Sequence, residues 1–296
     1  MELNRLFPLP TAINASPLLD TSVHALSSSS AIFSFEPHVK APFDAIWRLF
    51  DHPRANAENA SSLNAAYPKR GIFKTAAMNN ATSDQKFTID LSPARNVRIP
   101  EALREKLAGD GFNEVLDFFQ DVNSTYVAQI ILCDYNTDTA DPTSDNGCGA
   151  HTDYGTFTII FQDGTSGLEI EHAEQPGLWV PVPGDATVVL AGWCAVILSE
   201  GNIRATRHRV RRTPGVRRLS AVLFVAPDFE ATLRPLEDVK VVRPFTKKVT
   251  NGQSDVGEFK EVMGKKWRRR EGNEKRTTEM TWKHRTVRLK DSSGPD

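Results

Sequence analysis

No stretch of this chain approaches the roughly 18 consecutive apolar residues that a membrane span requires. Its opening, MELNRLFPLP, lacks the basic and apolar regions of a secretory signal. Cysteine is scarce: Cys133, Cys148 and Cys194 are widely spaced and odd in number, which argues against a disulfide framework or a zinc–thiolate cluster and fits a reducing cytosol. A surplus of either charge is missing too. The 36 Lys and Arg against 37 Asp and Glu give a formal net charge of −1, so no global field draws the chain to nucleic acid or an anionic membrane. Neither an internal repeat nor a heptad stripe is found, and a monomer is the default. These absences describe a cytoplasmic protein with no nucleic-acid or membrane partner.

What is present is an ordinary globular composition of 296 residues, 40% apolar and 25% charged, long enough to bury a sizeable core. Residues 1 to about 30 are weakly patterned and end in SSSS, which predicts a loosely held start. AIFSF (31–35) reads as a strand. PFDAIWRLFDHP (42–53) reads as a helix with Phe43, Ile46, Trp47 and Phe50 on one face, stopped by Pro53. Residues 54–98 are rich in Asn, Ala and Ser and read as loops around one or two short elements. The clearest helical pattern is 100–122, with Pro100 at its start and Phe112, Val115, Leu116, Phe119 and Val122 on one face. Gly109 and Gly111 are positioned to split it in two.

From 126 to 226 the texture changes to short apolar runs: VAQIIL, FTIIF, GLEIE, LWVPV, TVVL, CAVIL and SAVLFVA. Turn residues separate them at intervals near those of a β-sandwich or barrel, and no long helix interrupts them. After Pro227 the chain becomes charged; 254–275 reads as a solvated helix and the residues from Val287 as a frayed end. The expected organisation is an N-terminal mixed α/β region (1–98) packing on a helix-plus-barrel core (99–230), followed by a C-terminal extension (231–296).

The chemistry concentrates in that β-rich region. HTDYGTF (151–157) places His151 and Asp153 two apart at the mouth of an apolar strand, so that strand alternation turns both toward one cavity. His208, in RATRHRV, lies several predicted strands downstream and can close a third corner. Two histidines and a carboxylate on one face of an octahedron leave positions open, as in non-haem Fe(II) oxygenases. Catalytic zinc is the second physical option. His172 competes with His208, and His208 itself, among five arginines, has the bland alternative of a solvated basic residue. Further on, RRLSAVLFVAP (217–227) sets Arg218 and Ser220 two apart at the start of a strongly apolar strand. A guanidinium and a hydroxyl on one side form a carboxylate clamp; the plainer alternative is a wet basic edge.

Together these motifs resemble the Fe(II)/2-oxoglutarate-dependent dioxygenase superfamily, in its isopenicillin N synthase-like branch. The resemblance rests on GAHTDYGTFT (149–158), GLEI (167–170), WVPVPGDA (179–186), LSEGNIRATRHRV (198–210) and RLS (218–220). It implies a double-stranded β-helix, or jelly roll, mainly β with flanking helices. It implies Fe(II) on His151, Asp153 and His208, and 2-oxoglutarate as cosubstrate with its far carboxylate on Arg218, Ser220 and Tyr135. O2 is the oxidant. The implied reaction is oxidation of an unactivated C–H bond of a small molecule by hydroxylation, desaturation or ring closure, in specialised metabolism.

The chain departs from the family in three places. No opening strand is recognisable in 1–30, Cys133 stands where the family has asparagine, and 54–98 matches loosely. Lys69, Arg70 and Lys74 there could meet a substrate carboxylate, favouring an amino-acid-like substrate over the simpler reading of solvated loop charges. The alternative within the resemblance is an isopenicillin N synthase-like oxidase that uses Fe(II) and O2 without 2-oxoglutarate and gives Arg218 and Ser220 to its substrate. Outside it, the basic KKWRRR (265–270) with Trp267 suggests a nucleic-acid module, which the near-neutral charge opposes. Phe157, Ile159 and Leu223 either line the cavity or face a core on the other side.

Overall fold

The computed structural model describes residues 24–27, 32–35, 41–55, 84–91, 105, 109, 111–125, 127–135, 143–172, 175–199, 203–213, 215–233 and 255–268. Eleven strands and four helices appear among them. In chain order these are β1 (His24–Ser27), β2 (Ile32–Phe35), α1 (Phe43–Ala55), β3 (Phe87–Asp90), α2 (Phe112–Thr125), β4 (Val127–Asp134), β5 (Asn146–His151), β6 (Phe157–Gln162), β7 (Leu168–Glu171), β8 (Trp179–Pro181), β9 (Thr187–Ala191), α3 (Trp193–Leu198), β10 (His208–Arg211), β11 (Leu219–Ala226) and α4 (Val256–Arg268).

The strands form two antiparallel sheets. The larger runs β1-β2-β9-β6-β11-β4-β3 and the smaller β5-β10-β7-β8. A buried cluster joins them face to face: Ile160, Val188 and Leu190 from the larger sheet meet Cys148, Leu168, Ile170 and Val210 from the smaller. This is the expected double-stranded β-helix.

The larger sheet is covered on both faces, which explains why its strands read as continuous apolar runs. Strand alternation splits β11 cleanly. Leu219, Ala221 and Leu223 join the helix-side cluster with Ile46, Leu49, Phe112 and Phe119, while Ser220 is buried and Val222 packs toward the inter-sheet cluster. β6 divides the same way, with Ile159 and Phe161 toward the helices and Ile160 between the sheets. Leu223 and Ile159 therefore belong to the helix-side core, and Phe157 is 39% exposed.

Several local expectations differ from the structure. CAVIL was expected as a strand and forms α3 instead. Its apolar run is buried on all sides, so periodicity alone cannot separate the two states. α1 continues through Pro53 to Ala55; a proline in the last turn removes one donor without blocking the helix behind it. Trp47 is not a core residue of α1: it is 44% exposed, and its ring carries the Arg217 guanidinium 3.7 Å above its centre. α4 is not wholly solvated, since Val256 and Phe259 are fully buried with Cys194, Ile197 and Leu233. Within the weakly patterned start, His24–Ser27 forms β1, paired with β2. The remainder of 1–30, Lys69, Arg70 and Lys74, residues 269–275 and the tail from Val287 lie outside the described residues. No helix among the described residues is long and apolar enough to cross a membrane.

α2 begins at Phe112 because Gly111 stands at its threshold with φ +94°. A Cβ there would lie 2.7 Å from the Ala45 Cβ of α1. Gly111→Ala is expected to destabilise the fold by about 1–3 kcal/mol through backbone strain and this overlap. The midpoint of urea unfolding should fall with an unchanged slope, and an unaltered midpoint would refute the assignment.

Candidate metal centre and anion pocket

β10 lies between β5 and β7, and its register sets His208 directly opposite His151 on one side and Ile170 on the other. The two imidazole centres are 4.2 Å apart. The β5–β10 register shifts between His208 and Val210: their partners on β5, His151 and Cys148, are three residues apart rather than two. In an unbroken strand such residues face opposite sides. The extra residue re-aims the end of β5, and the Cys148 thiol comes 3.9 Å from His151 Nδ1.

Asp153 is not on a strand with His151, as simple alternation suggested. It sits in the turn between β5 and β6. That turn is held from behind by the start of α3, where the Trp193 amide donates to the Asp153 carbonyl at 3.0 Å and the Trp193 indole donates to Thr152 Oγ1 at 2.9 Å. The Asp153 oxygens then lie 3.6 Å from His151 Nε2 and 3.7 Å from His208 Nε2. Ligand atoms from all three residues fall within 4.8 Å of one another. His172, the competitor, lies just past β7 and outside this cluster.

Each ring is oriented by its far nitrogen. His151 Nδ1 is 2.7 Å from the Gly149 carbonyl and His208 Nδ1 is 3.2 Å from the Thr206 carbonyl. A carbonyl only accepts, so Nδ1 carries the proton and Nε2 turns a lone pair toward Asp153. Burial, reinforced by the neighbouring His208, pulls the His151 pKa down to about 3, which keeps that lone pair available. Asp153 is buried and accepts a hydrogen bond from Thr158 Oγ1 at 2.6 Å. Two imidazole nitrogens and one oriented carboxylate are donors that suit Fe(II) and Zn(II) alike.

Arg218 and Ser220 are 3% and 1% exposed, so neither is part of a wet basic edge. Arg218 Nη2 donates to Gln162 Oε1 at 2.9 Å and Nε to the Thr165 carbonyl at 3.2 Å. Its Nη1 is buried without a hydrogen-bond partner among the described residues. The guanidinium lies 5.0 Å from the centre of the Tyr135 ring, and the Cys133 thiol is in hydrogen-bond contact with Tyr135 and Ser220. Burial raises the Tyr135 pKa above its usual value, so the phenol stays protonated. An orphaned buried N–H on a fixed cation fits a carboxylate ligand.

Residues 127–227 match the model of the 2OG-Fe(II) oxygenase superfamily. They belong to that superfamily. The oxygenase domain is 38% identical over 95 residues to the 2-oxoglutarate-dependent dioxygenase citB of Monascus ruber, covering 31% of this chain and 29% of that protein. It is 34% identical over 117 residues to a homoarginine-6-hydroxylase of Arabidopsis thaliana, covering 36% and 32%. The chain thus spans about a third of the length of the curated relatives it matches. Among solved structures, the rice dioxygenase for auxin oxidation is similar over 79% of this chain and 85% of that one, with 19% identity and a TM-score of 0.48.

Thr158 escaped the sequence reading although it lies inside the HTDYGTFT motif; strand alternation on β6 is the signal that finds it. Gln162, Asp84 and Lys86 also escaped, and nothing local in the sequence marks them. Thr158→Val is expected to weaken divalent-metal binding at the domain about 10–100-fold by releasing the Asp153 carboxylate. Mn(II) titration followed by electron paramagnetic resonance would measure it, and an unchanged affinity would show that the hydroxyl does not orient the carboxylate.

Proposed function

We propose that His151, Asp153 and His208 hold Fe(II) and that the protein is a 2-oxoglutarate-dependent oxygenase acting on a small molecule. The observation that carries this reading is the convergence of the three ligand atoms within 4.8 Å inside the superfamily segment. The buried, unpartnered Arg218 Nη1 supports the cosubstrate, with Ser220 and Tyr135 on the same side of the sheet.

Iron held there would let O2 and the decarboxylation of a bound 2-oxo acid together supply the oxidising power to oxidise an unactivated C–H bond. The chain's own residues position and exclude. Thr158 fixes the Asp153 carboxylate, and the Gly149 and Thr206 carbonyls fix the tautomers of the two histidines. Gln162 and the Thr165 carbonyl hold the Arg218 fork so that it presents Nη1 without rotating. Leu168, Ile170, Val188 and Val210 keep the inter-sheet space dry, which strengthens each of these polar contacts.

The substrate belongs to specialised metabolism in this reading. The homoarginine-6-hydroxylase relative supports an amino-acid-like molecule, with hydroxylation foremost among hydroxylation, desaturation and ring closure. In this reading the catalytic core lies within residues 99–230, with β1, β2 and β3 completing its larger sheet and α4 packed against α3.

The test is anaerobic. Fe(II) and then 2-oxoglutarate are added to metal-free protein, and the visible charge-transfer band of the chelated keto acid is recorded. A band in the wild type that is lost in Asp153→Ala and His208→Ala is the expected result, and turnover should vanish in the same variants. Iron binding without the band would favour the oxidase in which Arg218 and Ser220 hold the substrate's own carboxylate. Absence of iron binding would refute both.

A further inference from the structure

Lys86 belongs to none of the motifs above, yet its ammonium lies beside the site, against the thiol that touches His151. It stands one residue before β3, at the end of the ladder where Phe87 pairs with Asp134, next to Tyr135 of the anion pocket. Two bonds tie this segment to the opposite sheet: the Gln85 amide donates to the Asn146 carbonyl at 3.0 Å, and the Gly149 amide donates to Asp84 Oδ1 at 2.7 Å. The Lys86 side chain, 20% exposed, is thereby held between the sheets with Nζ 3.0 Å from Cys148 Sγ.

The partners of this ammonium are poor. It carries three donors. Among the described residues it meets one thiol, a weak acceptor, and the Asp84 carboxylate at 3.7 Å, beyond hydrogen-bond length. Burial raises the Tyr135 pKa, so the phenol supplies no negative charge at neutral pH. Lys86 and Arg218 flank Tyr135 on adjacent strands: Phe87 pairs with Asp134 along one edge of β4, and on the other the Tyr135 amide donates to the Arg218 carbonyl at 2.9 Å. Arg218 Nη1 has no partner of its own. Two cations with unspent donors thus stand on either side of Tyr135, while Asp84 also serves the Gly149 amide and the Asp153 carboxylate lies with the two histidines. Burying positive charge this way is costly unless an anion meets it.

We propose that Lys86 is the second cation of the anion pocket: with Arg218 it binds the far carboxylate of the 2-oxo acid, and it makes the site select dicarboxylate over monocarboxylate 2-oxo acids. This rests on the oxygenase reading above. The residue lies outside the superfamily segment 127–227.

The experiment measures anaerobic binding of two 2-oxo acids to the Fe(II)-loaded full chain, by titration of the charge-transfer band and by calorimetry. One is 2-oxoglutarate; the other is 2-oxobutyrate, which keeps the chelating end and lacks the far carboxylate. Lys86→Met is expected to lower 2-oxoglutarate affinity about 10-fold or more, since a charge-assisted bond to a carboxylate is lost, while leaving 2-oxobutyrate affinity unchanged. Lys86→Arg should retain most of the binding. Asp84→Asn removes the competing carboxylate and should leave 2-oxoglutarate affinity equal or tighter. A merely structural Lys86–Asp84 pair requires Asp84→Asn to lose affinity as Lys86→Met does, so this variant decides the matter even where Lys86→Met fails to fold. Unchanged 2-oxoglutarate binding in Lys86→Met, or an equal loss for both acids, overturns the inference and leaves the oxygenase reading intact. Failure of the wild type to bind 2-oxoglutarate overturns both.

Discussion

The pairing of β10 with β5 is the constraint on which the site depends. That register brings two histidines from distant parts of the chain into direct opposition, and backbone hydrogen bonds and the packing around Val210 maintain it. A slip of one residue would turn His208 to the other face and carry Val210 with it out of the core. The buried positions of Val210, Leu168 and Ile170 therefore secure the histidine geometry as much as they stabilise the barrel. The irregularity in β5 is the necessary companion, because Cys148 and His151 share the inner face only by virtue of it.

The larger sheet keeps two kinds of interior apart. Its helix side is dry and apolar, built from Leu219, Ala221, Leu223, Ile130 and Leu132 against α1 and α2. Its other side carries Arg218, Ser220, Gln162, Thr158 and Tyr135, all of them buried. Alternation along single strands produces this separation, so one sheet serves as both foundation and reactive wall. Ordinary apolar packing supports the wall from behind, while each polar group on it is held by a neighbour or presents an unspent donor to the cavity.

How much of this the sequence could reveal follows from how local each signal is. The H-x-D pair, the later histidine and R-x-S stood out as candidates because each sits in a short motif at a strand end, although alternation did not anticipate that Asp153 lies in the turn after β5. The apolar runs that form β4, β6, β7, β8, β9 and β11 were readable from their composition, whereas their pairing was not. The α3 helix was not, because a short apolar run flanked by glycine fits a buried strand equally well. Trp47 was misplaced because its exposed ring is covered by Arg217, a contact between residues far apart in sequence. Asp84 and Lys86 were invisible for the same kind of reason: their importance comes from the bonds that Gln85 and Asp84 make to β5, and no pattern within 84–86 announces them.

The α4 helix has a consequence in time as well as in space. Phe259 and Met263 pack in the cluster that contains Trp193 and Tyr154, and Lys260 lies 5.5 Å from the centre of the Tyr154 ring. The turn bearing Asp153 is therefore buttressed by residues about a hundred positions further along the chain. During synthesis the two histidines and the aspartate emerge well before their support does. The nascent barrel can pair its strands, but the wall behind Asp153 closes only when α4 has left the ribosome and docked.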